Sequence, residues 1–326
     1  PQPAFDQTKE ITVTYPLADA EEEEENTYLS YNVVVGDSLD RTLNLAFMML
    51  DYALIDVPGA PIKKALVDAG ISNDVFSSYD DGILQPVYSI IAKGCKKENK
   101  ERFVSIIEQT LREIVQKGFE KKVLEAALNH FEFKLKEANY GRFPKGLMYG
   151  LSAFNSWLYC DDEPFMYLKY DESFAYLKEQ IGTDYYQNIL KEYILANTHK
   201  TIVTGLPKKG LNKQNEAELA KQLQAYKDSL SADQIRQLVQ ETEALQEYQS
   251  EPSPQEDLEK IPLLQLSDIG KKALHIKNRE WKAAGIPVVQ QDIFTNGIAY
   301  ISYYFMLDHV PVALLPYVSL LTALYK

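Results

Sequence analysis

The stretch LDRTLNLAFMMLDYALI, Leu39 to Ile55, limits the fold more than any other part of the chain. It reads as a helix that is apolar around much of its circumference, so it must be covered on more than one side. Strands lie close by to cover it. EITVTYPL (Glu10 to Leu17) and TYLSYNVVVG (Thr27 to Gly36) are β-branched and aromatic runs that predict two strands before the helix. After it, ISNDVFSSY and GILQPVYSIIAKG predict two more, with a bulge or a sheet edge expected at Pro86 because proline cannot donate to a ladder.

Helices dominate the next hundred residues. PIKKALVDAG places Pro61 in a first turn and Gly70 at a stop. Phe103, Ile106, Ile107, Leu111, Ile114 and Val115 recur at helical spacing, as do Leu124, Leu128, Phe131 and Leu135. An aromatic-rich helix follows within RFPKGLMYGLSAFNSWLYCDDEPF, then further helical turns to about Ala196, and HKTIVTGLP (His199 to Pro207) reads as a closing strand. This segregation of strands and helices predicts an α+β fold, an antiparallel sheet with helices packed on one face.

Composition changes after Pro207. Leu219, Leu223, Tyr226 and Leu230 make a narrow stripe on an otherwise polar helix. Ser231 with Gln234 forms a capping box for a second helix, striped by Ile235, Leu238, Thr242, Leu245 and Tyr248. The pair predicts an αα-hairpin over residues 208–249, and QSEPSPQEDLEKIP (Gln249 to Pro262) a connector. IPVVQQD (Ile286 to Asp292) and Ile298 to Phe305 then read as strands, and Val312 to Tyr325 as an apolar helix.

ISYYFMLDHVPVALLPYVSLLTALY (Ile301 to Tyr325) matches LSYNVVVGDSLDRTLNLAFMMLDYALI in pattern: an aliphatic-Ser-Tyr strand, an acidic turn, an apolar helix. The expectation is that the last forty residues begin a second copy of the unit that the first 207 complete. The chain would then be an interior slice of a longer protein, with domains 1–207, 208–285 and 286–326. The final helix would pack back on the first domain or drive self-association between chains.

A net charge of −13 and a pI near 4.9 argue against a nucleic-acid surface, which needs clustered Lys and Arg, and leave a modest attraction for cationic partners. No uncharged apolar run reaches the roughly 18 residues of a membrane span. Cys95 and Cys160 make neither a CxxC nor a disulfide framework, which fits a reducing compartment. The expected location is the bacterial cytoplasm, or an organelle matrix in a eukaryote.

No catalytic or metal-binding residue can be assigned. Position +4 after His130, His199, His275 and His309 is Lys134, Val203, Arg279 and Ala313, so no H-E-x-x-H or H-x-x-E-H occurs. His130 also lacks the PCxxC partner of a deaminase site. GLSAF at Gly150 is missing the second glycine of a nucleophile elbow, and GLPKKG the Lys-Ser/Thr of a phosphate loop.

Several stretches nevertheless carry a resemblance: PIKKALVDAGI, ALNHFEFKLKEANYGRFPKGLMYG, SWLYCDDEPF, ADQIRQLVQETEALQEYQSEP, IPLLQLSDI and FTNGIAYISYYFML. They are similar to the pitrilysin/insulinase-type zinc metallopeptidases, in their presequence protease branch. That resemblance implies related α+β domains (metallopeptidase-repeat α/β rolls) in two halves around a chamber, joined by a helical hairpin. The zinc motif and distal glutamate belong to the first domain, and Tyr and Arg groups to the last. This chain then resembles the second domain, the hairpin and the start of the third, and no catalytic residue carries over. The implied whole enzyme uses zinc to activate water against unfolded peptides, basic ones among them, with this part as chamber wall and hinge. A non-catalytic scaffold or binding subunit of the same fold is the alternative.

Overall fold

The computed structural model describes residues 1–272 and 276–325. The chain divides into two compact units, Pro1–Leu274 and His275–Lys326.

The first unit is built on five strands: β1 (Lys9–Leu17), β2 (Thr27–Val34), β3 (Asp74–Asp80), β4 (Val87–Cys95) and β5 (Lys200–Lys209). Their order is β1-β5-β2-β4-β3. The expected antiparallel pairing holds for β2 with β4 and β5 and for β3 with β4, but β1 lies parallel to β5 at the edge. A two-residue turn cannot make a parallel pair, and here the whole helical region separates the two strands. Pro86 produces neither a bulge nor an edge. It sits immediately before β4, an interior strand, and its carbonyl accepts from Val35 N at 2.8 Å. The register shift falls instead between Thr27 and Leu29.

Alternation decides which face of the sheet is covered. Leu29, Tyr31 and Val33 of β2 and Tyr88, Ile90 and Ala92 of β4 are buried, while their neighbours in between stay half-exposed. The helices are α1 (Arg41–Asp51), α2 (Pro61–Asp68), α3 (Lys100–Lys117), α4 (Lys121–Glu137), α5 (Lys145–Trp157), α6 (Asp171–Glu179) and α7 (Tyr185–Ile189). Side chains from α1 to α4, α6 and α7 share one core with the buried strand residues. By length and mean hydropathy (1.4) the segment Arg41–Asp68 could cross a bilayer. Its Leu45, Phe47, Met49, Leu50, Leu54 and Ile55 are instead spent on this core. α5 is different: Leu147, Leu151, Phe154 and Trp157 are exposed on it.

α1 does not stop at Asp51. Tyr52–Asp56 continues as a π-helical turn, closed by Val57 N donating to Tyr52 O at 3.0 Å. Asn44 ties α1 down. Its amide donates to Asp37 O (3.2 Å), Ser38 O (3.3 Å) and the Tyr167 hydroxyl (2.7 Å), and its Oδ1 accepts from the Tyr79 hydroxyl.

β5 leads into α8 (Leu211–Ser229) and α9 (Ala232–Ser250), neither of which buries a side chain. The capping box is present as expected: Ser231 Oγ accepts from Gln234 N, and Gln234 Oε1 from Ser231 N. α10 (Gln255–Leu258) interrupts the connector.

The second unit holds a hairpin of β6 (Asn278–Ala283) and β7 (Ile286–Gln291), and α11 (Leu315–Leu324). β6 was not anticipated; the turn residues Ala284 and Gly285 both have positive φ, which a tight two-residue hairpin needs. Ile298 to Phe305 forms no strand, contrary to expectation. A strand exists only as part of a ladder, and among the described residues of this unit β7 pairs with β6. The helical half of the repeat is present, since a helix closes its own hydrogen bonds.

Candidate functional site

The histidines occupy unrelated places. His130 is exposed on α4, with its ring stacked on Tyr52 at 4.7 Å and 12°. His199 is buried just before β5, edge-on to Phe5 at 4.5 Å. His309 is exposed in the second unit, and His275 lies outside the described residues. Among the described residues no group of three His, Cys, Asp or Glu is arranged to hold a metal ion. Cys95 is buried, its thiol pushed up to about 11 by loss of solvent, which makes it inert; Cys160 is half-buried.

Chemistry-bearing groups do gather at the end of α1. A cavity of about 410 Å³ is lined by Met48, Asp51, Tyr52 and Asp56 from α1 and its π turn, by Tyr79 and Asp81 at the end of β3, and by His130, Phe131 and Lys134 of α4. The widened turn explains how Asp51 and Asp56, five residues apart, line the same space. Burial raises the carboxyl of Asp51 above its ordinary range; a neighbouring Ser77 hydroxyl pulls it back, and the nearby Asp56 charge pushes it further up. Asp81 is raised too, again chiefly by burial. The Tyr79 phenol is held protonated far above its usual range by burial and by the Asp81 charge, so it acts as a donor. Sequence reading found none of these residues as a site, because they come from three elements with no fixed spacing. The signal available was the acidic end, Asp51 and Asp56, of an otherwise apolar helix.

A second concavity, of about 440 Å³, lies where α8 meets α9. It is lined by Tyr226, Leu230, Ile235, Leu238, Val239 and Thr242, with polar groups at its margin. Its lining is apolar and offers no group for acid–base or metal chemistry.

Comparison with known proteins gives two matches to family models. Residues 1–131 match "Peptidase M16 inactive domain", and residues 206–325 match the model of the region associated with subfamily C of the M16 peptidases. Protein HypA of Clostridium perfringens is 37% identical over 320 residues, 98% of this chain and 33% of that protein. Presequence protease 1, chloroplastic/mitochondrial, of Arabidopsis thaliana is 30% identical over 325 residues, 98% of this chain and 30% of that protein. The crystal structure of a peptidase M16 inactive domain from Pseudomonas fluorescens aligns with a TM-score of 0.45 at 14% identity, over 64% of this chain and 45% of that one. The chain thus spans about a third of the length of the curated relatives it matches.

Proposed function

The chain belongs to the M16 peptidase family, and from that premise we propose that it is the non-catalytic wall and hinge part of a zinc-dependent endopeptidase that degrades unfolded peptides. Residues 1–207 are the wall domain, 208–285 the hairpin and connector, and 286–326 the start of a further domain. One observation carries this reading: nearly the whole chain aligns with a presequence protease, and its first part matches the model described as inactive. The apolar side chains exposed on α5 support it, since contiguous exposed apolar surface marks a place where something else packs. The proline-rich connector between α9 and β6 suits a hinge, a short segment that absorbs backbone rotation while the flanking units stay rigid.

In the family the metal motif activates water at the scissile carbonyl. This chain's own part is to bound the space in which a peptide lies. The test is direct. The chain incubated with zinc and an unstructured peptide should neither cleave the peptide nor retain stoichiometric zinc by elemental analysis. Chelator-sensitive cleavage by the chain alone would overturn the non-catalytic assignment. In an active enzyme of the family carrying this segment, glycine at Pro252, Pro254 and Pro262 should alter kcat; unchanged turnover for peptides of every length would remove the hinge.

A further inference from the structure

A wall has no need of three carboxylates in a half-enclosed cavity, yet the cavity at the end of α1 has them. Among the described residues none of Asp51, Asp56, Asp81 or the cavity's Lys134 makes an ion pair. Half-buried charges are ordinarily paired, because leaving water costs them far more than apolar neighbours return. Here burial instead lifts Asp51 and Asp81, the mark of anions lacking a counter-ion.

Two further atoms are left over. Asp51 Oδ1 is buried without a hydrogen bond, and so is the hydroxyl of Tyr88, which lies beside that carboxylate and is 1% exposed. Native proteins rarely leave such atoms unmatched unless a ligand or water completes them. The turn that delivers Asp56 is π-helical, a distortion that recurs at functional sites.

We propose that this cavity binds the guanidinium group of an arginine side chain on an extended peptide. The carboxylates of Asp51, Asp56 and Asp81 take the charge, and Met48, Phe131 and Tyr79 flank the aliphatic stem. A bare metal ion does not suit the same residues, because they do not converge as an ion's ligands must. A guanidinium does suit them: its planar fork serves several carboxylates at once and stacks on aromatic faces. Tyr52, backed by the stacked His130 ring, is a fixed aromatic wall for that purpose. Lys134 offsets one of the three negative charges, so the cavity attracts a single cation rather than a series of them.

The inference leans on the proposed function only in that the arginine is carried by a peptide. Its test needs no cleavage, so the two can fail separately. The 326-residue chain is titrated calorimetrically with acetyl-Gly-Arg-Gly-amide, with its citrulline and lysine counterparts, and with free arginine. The arginine peptide should bind with one-to-one stoichiometry. Citrulline, which keeps the shape and loses the charge, should bind at least about tenfold more weakly, and lysine should fall between. Asp51→Asn and Asp81→Asn should each weaken the arginine peptide by about tenfold or more while leaving the circular dichroism spectrum unchanged. Glu21→Gln with Glu22→Gln, in the exposed acidic run, should leave its affinity unaltered. Equal affinity for the citrulline peptide, or no binding at all, would overturn the proposal. So would an equal loss in the Glu21/Glu22 variant, which would mean generic attraction to an acidic chain. Free arginine binding more tightly than the peptide would overturn the peptide source.

Discussion

Asn44 is the most informative residue to replace, because a polar side chain 1% exposed on an apolar helix has to be explained by what it holds. Its amide joins the turn before α1, through Asp37 O and Ser38 O, to Tyr167 in the segment before α6 and to Tyr79 at the end of β3. In Asn44→Leu, Ser38 O keeps the Tyr167 hydroxyl as donor, so neither of those groups is orphaned. Two groups are: Asp37 O and the Tyr79 hydroxyl. Each buried group left without a partner costs about 1–3 kcal/mol. Tyr79 borders the cavity, where water can replace the lost acceptor, so the net cost should sit in the lower half of the combined range, about 2–3 kcal/mol. Tyr79→Phe alone strands Oδ1 of Asn44 and should cost about 1–2 kcal/mol. The double variant strands only Asp37 O, so the two losses should overlap by about 1–2 kcal/mol. Urea unfolding of the four proteins, followed by circular dichroism, closes the cycle. Losses that add to within about 0.3 kcal/mol would mean the Asn44–Tyr79 bond contributes nothing, and the account of how α1 is anchored would be wrong.

Two other substitutions test the electrostatics. Asp51 has a folded-state pKa above its unfolded value, so its folded form holds a proton that the unfolded form has released; stability is greatest below the unfolded pKa and falls as pH rises through the folded one. Asp51→Asn should therefore match the parent protein near pH 3 and melt at a higher temperature at pH 8, and an equal melting temperature at both would refute the assignment. Lys200, 7% exposed, bonds to the Tyr31 hydroxyl (3.0 Å) and Ile194 O (3.4 Å) and pairs with Glu108 at 3.6 Å. Lys200→Met should cost about 2–3 kcal/mol, at the low end for a broken buried pair because Glu108 reaches solvent, and a loss below about 0.5 kcal/mol in denaturant would refute it.

Periodicity made the first unit legible. Alternation in TYLSYNVVVG became the buried face of β2, and the apolar circumference of Leu39 to Ile55 became a helix covered on several sides. The capping box at Ser231 and Gln234 was readable because it is a contact between near neighbours. What failed was non-local. The parallel partner of β1 lies almost two hundred residues away, and nothing in EITVTYPL encodes which edge it joins. The Ile298 to Phe305 strand failed for a related reason, since strand propensity describes a side-chain surface and leaves the ladder to be supplied from elsewhere.

The cavity was illegible on other grounds, and those grounds bear on what it does. Sequence reading finds chemistry as fixed spacings, which arise where one element presents a whole motif. Asp51, Asp56 and Asp81 come together only through a widened turn and the packing of α1 and α4 beside β3. That arrangement raises two carboxyl groups above their ordinary range and leaves a buried oxygen and a hydroxyl unmatched, all of which counts against stability. Asparagine at position 51 would remove much of that penalty without changing the shape of the side chain. A site that is costlier than its nearest substitute is what selection for binding leaves behind, whereas selection for packing alone would have removed it. The stability gain expected of Asp51→Asn and the loss of arginine-peptide affinity expected of the same variant are therefore one claim. If the variant gained stability and kept its affinity, the charge would be an uncorrected flaw in the core rather than a binding site.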